Sequence, residues 1–329
     1  MPIRSRHTRH TTKAYAVAIT VAGAVLAAIA AVIGAASGDA VTQQPSVISA
    51  ATGDVLTPKP SVISAAPGDA VTQHPPAATG LRYVAMGSSF AAGPGVPPLQ
   101  SGAGAAACSR SVNNYPSYVA RAIDADFTDV TCSGATTANI LTDTQNGQPP
   151  QIEAVNAQTQ AVTVTIGGND INYLGSLNTY SCQTSGEVNC GSVDRAAIDR
   201  ALISLPGRLS NVVNAVHAKA PQAKVFFVTY FTVLPASGRC EGTPLTANQA
   251  IYERSISSRL LTATRQAADS TDAVVVDVAG ASAAHHVCAP QPWVEDYAPP
   301  SGRSTYHPNE AGMHGASKAV EAAFTTAGL

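Results

Sequence analysis

From residue 81 onward, apolar positions gather into short runs separated by polar and helix-forming stretches. LRYVAM, FTDVTC, AVTVTI, KVFFVTY and AVVVDV are each a few residues long and rich in β-branched side chains. Their length and composition predict five strands. Longer segments with helical character alternate with them. NYPSYVARAI precedes the second run, SVDRAAIDRALISLPGRLSNVVNAVHAKA the fourth and ANQAIYERSISSRLLTATRQAA the fifth, and PNEAGMHGASKAVEAAFTTA closes the chain. Pro206 and Gly207 are expected to break the longest of these helices. Strands alternating with helices predict an α/β domain around a central, mainly parallel five-stranded sheet. In such sheets, sites form at the carboxyl ends of the strands.

The pattern before residue 80 is different. MPIRSRHTRHTTK is basic without an acid, and an uncharged apolar stretch follows from Ala14 to Ala36. A positive head, an apolar body and a small-residue exit predict that residues 1–36 are an export signal cleaved near Ala36, with retention as an N-terminal membrane anchor as the alternative. Three 15-residue copies come next: AASGDAVTQQPSVIS, AATGDVLTPKPSVIS and AAPGDAVTQHPPAAT. They hold proline and no aromatic residue, too little apolar surface to offset chain entropy, so residues 37–79 are expected to be a disordered linker. Residues 80–329 are then the functional domain, secreted or held at the cell surface by the N-terminal segment.

Composition narrows the function. Charged residues are only 12% of the chain and the net charge is −2, which leaves no basic footprint for nucleic acid. The six cysteines, Cys108, Cys132, Cys182, Cys190, Cys240 and Cys288, all lie in the exported part, and an even count there implies disulfides. Six allow 15 pairings; sequential pairing, Cys108–Cys132, Cys182–Cys190 and Cys240–Cys288, is the simplest. Cysteine and histidine spacing does not suggest zinc.

The residues at the predicted strand ends carry chemistry. The first strand runs into Gly87-Ser88-Ser89-Phe90, the second into Cys132-Ser133-Gly134-Ala135, and the third into Gly167-Gly168-Asn169-Asp170. Tyr306-His307-Pro308-Asn309 precedes the last helix. On one rim these supply a hydroxyl, a glycine N–H, a side-chain amide and an imidazole, the parts needed for acyl transfer. Four blocks in this order, GSSF, CSGAT, GGND and HPN, resemble the SGNH (GDSL-type) hydrolase family, in its secreted actinobacterial esterase/lipase branch with six cysteines. The resemblance spans residues 81–329 and implies a three-layer α/β/α, flavodoxin-like fold.

Carried onto these blocks, it makes Ser89 the nucleophile and His307 the base. The N–H groups of Ser89 and Gly134 and the amide of Asn169 form the oxyanion hole. Two positions depart from the family's habit. Ser88 stands where an acid commonly precedes the nucleophile, and Ser304 stands where an acid orients the imidazole. A histidine oriented by the main-chain carbonyl of Ser304 is therefore expected, with Glu295 or Asp296 as the rival. The implied activity is hydrolysis of carboxylic esters through an acyl-enzyme, by a monomer without metal or cofactor. The substrate is a small-molecule, lipid or acylated glycan ester. The alternatives are a carbohydrate esterase that deacetylates a cell-wall polymer, and a non-catalytic wall- or glycan-binding module.

Other residues read as structural. Asp170 braces its loop. His285 and His286, as neighbours on a strand, would face opposite ways and could not share a ligand. His314 and His217 are ordinary helix residues. Gly93 and Gly95 lack the following lysine of a phosphate loop. Trp293 either shapes an acyl pocket or anchors a loop.

Overall fold

The computed structural model describes residues 80–329, so the expected signal or anchor and the repeat linker lie outside the described residues. Five strands form one parallel sheet: β1 (Arg82–Gly87), β2 (Asp126–Asp129), β3 (Ala161–Thr165), β4 (Lys224–Val228) and β5 (Val274–Val276), in the order β2-β1-β3-β4-β5. Each of the five apolar runs overlaps one strand, with β1 and β2 each reaching one residue beyond its run. Every residue of β3 is buried, as are the last five of β1 and the last four of β4, whereas β2 at the edge alternates between exposed and half-buried positions. Central parallel strands are covered on both faces, and this explains their nearly continuous apolar character.

The helices are α1 (Ser89–Ala92), α2 (Ala103–Ala107), α3 (Tyr115–Ala122), α4 (Thr137–Leu141), α5 (Tyr173–Ser185), α6 (Arg195–Lys219), α7 (Ala247–Asp269), α8 (Val278–Ala281) and α9 (Glu310–Thr326). Helix α3 packs on α9, and α6 on α7. With right-handed crossovers, the strand order puts these pairs on opposite faces of the sheet. This is the doubly wound, flavodoxin-like order, and it reverses direction between β1 and β3. Helix α9 shows why such helices dock: Met313, Ala316, Val320 and Phe324 recur on one face and are fully buried.

Two expectations are corrected. Helix α6 does not break at Pro206; it runs through 25 residues with the proline inside. Leu202, Leu205, Leu209 and Val212 straddle the proline and are all buried, so tertiary packing holds the helix across a missing N–H. His285 and His286 lie in a turn after α8, not on a strand. There His285 stacks on Trp293, with rings 4.3 Å apart and 5° from parallel. Helix α5 had no strong apolar periodicity to predict it.

The three sequential disulfides form, with S–S distances of 2.08, 1.97 and 2.04 Å. Among the described residues, no helix is long and apolar enough to cross a membrane.

Candidate active site

The switch point brings the four blocks together. Strand β1 ends at Gly87, whose φ is 140° and whose missing side chain leaves room for β3: an added Cβ would lie 2.5 Å from the Thr165 carbonyl. Backbone bonds then hold the neighbouring blocks to this end. The Ser88 N–H donates to the Thr165 carbonyl at 2.9 Å, and the Cys132 N–H to the Gly87 carbonyl at 3.0 Å. The buried Gln151 side chain receives the Gly87 N–H at 2.7 Å and donates to the Gly87 carbonyl at 3.1 Å. Ser89 opens α1 immediately afterwards, where a helix start leaves its N–H without an intrahelical acceptor.

The second block is clamped from both sides. Cys108–Cys132 ties it to the segment after α2, the Ser133 N–H donates to the Cys108 carbonyl at 3.0 Å, and Gln145 donates to the Ser133 carbonyl at 2.8 Å. Gly134 is exposed at the rim with φ 85°, a left-handed conformation that favours glycine. An added Cβ would meet only the Gln145 side chain, at 3.4 Å. Backbone conformation, not crowding by the protein, therefore asks for glycine there. Asn169 joins this loop to the third block: one amide hydrogen goes to the Ala135 carbonyl at 2.8 Å, which leaves the other free. Asp170 receives the Thr137 N–H at 3.0 Å and its hydroxyl, and lies 3.5 Å from Arg208. It braces the start of α4 rather than facing Ser89.

His307 arrives from the far end of the chain. Its Nε2 lies 2.8 Å from the Ser89 oxygen, and its Nδ1 lies 2.8 Å from the main-chain carbonyl of Thr305. A carbonyl can only accept, so the proton sits on Nδ1 and the Nε2 lone pair faces the hydroxyl. Burial lowers the imidazole pKa, against the opposing pull of the Thr305 carbonyl. The base is therefore neutral at pH 7.

The expected orienting group was one residue off. The Ser304 carbonyl is occupied by the His307 N–H at 3.1 Å. Tyr306, at φ 58°, turns the chain so that the Thr305 carbonyl meets the ring instead. Tyr306 is fully buried, and its hydroxyl is 2.7 Å from that of Ser181 on α5, which anchors this unusual backbone. The acidic rivals have other partners. The Glu295 carboxylate lies 3.8 Å from Arg303, and an Asp296 oxygen accepts the Ala298 N–H at 3.0 Å. Asn309 caps α9 by accepting the Gly312 N–H at 3.0 Å and fixes the entry of the chain that carries His307. Trp293 anchors a loop: an added Cβ on Gly315 of α9 would touch its ring at 2.4 Å.

Sequence reasoning missed Gln151, Thr305, Tyr306 and Tyr230. The Tyr230 hydroxyl is 2.8 Å from that of Ser88 and receives the Gly168 N–H at 3.1 Å. Only the aromatic end of KVFFVTY hinted at it. No sequence signal marks the other three.

Comparison with known proteins agrees with this geometry. Residues 85–314 match the GDSL-like Lipase/Acylhydrolase family. Lipase 2 of Streptomyces coelicolor is 35% identical over 244 residues, covering 70% of this chain and 82% of the relative. The lipase of Streptomyces rimosus is 33% identical, covering 70% and 82%. Among solved structures, phospholipase A1 of Streptomyces albidoflavus superposes with a TM-score of 0.62 at 29% identity, covering 74% of this chain and 99% of that one. The extracellular lipase of Streptomyces rimosus gives 0.61 at 28%, with the same coverage. From its matched domain and these relatives, the chain belongs to the GDSL-like lipase/acylhydrolase family, in its actinobacterial lipase branch, and is a carboxylic ester hydrolase.

Proposed function

We propose that this protein is an exported serine lipase or esterase that works through an acyl-enzyme on Ser89. The observation that carries this reading is the Ser89–His307–Thr305 chain, with both contacts at 2.8 Å. His307 accepts the Ser89 proton at Nε2 as the oxygen attacks the ester carbonyl. The Thr305 carbonyl holds Nδ1–H and, with its partial negative charge, supports the imidazolium that forms. Charge on the former carbonyl oxygen is received by the N–H groups of Ser89 and Gly134 and the free amide hydrogen of Asn169. Each such donor contributes about 10²–10³-fold to turnover in comparable sites. The imidazolium returns its proton to the departing alcohol; water then enters by the same route, and Ser89 is released.

Relatives named lipase and phospholipase A1 favour a lipid ester as substrate. Export is supported by the three disulfides, which persist in oxidising compartments, by the basic-then-apolar N-terminal segment, and by a similar lipase described as extracellular. The test uses the full chain on p-nitrophenyl esters of increasing acyl length and on a phospholipid. The native protein is expected to release p-nitrophenol and to be labelled at Ser89 by a serine-directed phosphonate, and Ser89→Ala is expected to do neither. Undiminished turnover in Ser89→Ala would remove Ser89 from the mechanism.

A further inference from the structure

Tyr230 lies two residues beyond the end of β4, in the rim that holds the four blocks, and its hydroxyl is taken up by protein groups. It is 8% exposed, and its ring packs against Phe90, the neighbour of Ser89, with centroids 4.6 Å apart. Its hydroxyl makes two contacts, to Ser88 at 2.8 Å and to the Gly168 N–H at 3.1 Å. Ser88 precedes the nucleophile, and Gly168 precedes the oxyanion amide of Asn169. Gly168 has no room for a side chain, since an added Cβ would lie 2.6 Å from the Tyr230 oxygen.

The direction of each bond follows from what its groups can do. The Gly168 N–H only donates, so the phenol oxygen accepts it. The Thr165 carbonyl, 3.4 Å from the Ser88 oxygen, only accepts, so Ser88 points its proton that way. The phenol proton then goes to Ser88. Every member of the chain Gly168, Tyr230, Ser88 and Thr165 uses its donor or acceptor in one sense. Burial pushes the phenol up to about 12, so the proton stays in place at any working pH.

We propose that Tyr230 is a positioning residue of the ester hydrolase, its hydroxyl locking the nucleophile turn to the Asn169 loop so that the oxyanion donors keep their spacing to Ser89. This rests on the acyl-enzyme reading above. The partners of the hydroxyl are Ser88 and Gly168, not Ser89, and it acts through them. Losing one neutral hydrogen bond in such a lock is expected to lower turnover by about five- to tenfold.

Tyr230→Phe in the full chain keeps the ring against Phe90 and removes only the hydroxyl. On a p-nitrophenyl ester its kcat is expected to fall about five- to tenfold with KM within about twofold, because the loss falls on the transition state. Phosphonate labelling of Ser89 should slow by a similar factor. Combined with Asn169→Ala, the Tyr230 change should cost little more, since the donor it positions is already gone. Ser88→Ala, which removes the partner hydroxyl, should lower kcat in the same way, and it decides the matter if Tyr230→Phe does not fold. Wild-type kcat in both variants would overturn the proposal, as would a Tyr230 loss that multiplies undiminished with the Asn169 loss. Should Ser89→Ala stay active, the acyl-enzyme reading fails instead, so the two failures are distinguishable.

Discussion

His307 is half-buried at the rim, and desolvation of the charged ring lowers its pKa below the ordinary 6.5. Below its pKa the ring carries two protons and cannot take one from Ser89. Activity is thus lost as pH falls, and the acid limb of kcat/KM, which reports the base of the free enzyme, is expected to have a midpoint below 6.5. A pH profile on a short-chain ester checks this, and a midpoint above that value would contradict it. Ser89 and His307 were legible because each residue type follows a predicted strand or precedes a predicted helix. The group that orients the ring was not. Its identity depends on one peptide turned by Tyr306 at φ 58°, a left-handed conformation that is uncommon outside glycine and asparagine.

At the scale of elements, apolar runs overlapped every strand. For the central strands β1, β3 and β4 the reason is burial on both faces, which needs continuous apolar sequence, whereas the edge strand β2 is exposed or half-buried throughout. Helices were located less evenly. Asn309 and the buried stripe of α9 announce that helix, whereas α5 carries Tyr173, Leu177 and Tyr180 among small polar residues and hides its inner face. Local propensity misled at Pro206, where packing of Leu205 and Leu209 overrides the helix breaker. The override implies a residual penalty. Pro206→Ala restores a backbone N–H on a half-buried face while giving the unfolded chain more freedom, at about 0.4–1 kcal/mol. Against the roughly 3 kcal/mol of an interior proline, net stabilisation of about 2–2.6 kcal/mol is expected, read as a higher midpoint in urea at unchanged slope. A lower midpoint would mean that α6 is shaped around its proline.

For the whole molecule, the buried carboxyl of Glu253 couples folding to pH. It is completely inaccessible; one oxygen receives the Ser176 hydroxyl at 3.0 Å, and the other has no partner among the described residues. Burial pushes its pKa from 4.5 to about 8, against the pull of Ser176 and Arg195. Between those two values the folded chain holds a proton that the unfolded chain releases, so stability declines as pH rises through this window and levels off above it. Glu253→Gln mimics the protonated acid and should flatten that decline in melting temperature between about pH 5 and 8. Equal slopes in the two proteins would assign the pH dependence elsewhere.

Periodicity and strand-end chemistry in the sequence alone determined the α/β class, the five strands, and the serine, glycine, asparagine and histidine that meet at the site. Those features depend on local side-chain pattern and on where strands end, and both are written along the chain. Only the tertiary structure decided which carbonyl holds the imidazole, that a tyrosine beyond β4 links the Ser88 turn to Gly168, and that α6 survives its proline. The carbonyl is chosen by a local backbone turn at Tyr306, held by its buried contact with the distant Ser181. The other two depend on groups far apart in sequence, whose distances exist only once the sheet has closed.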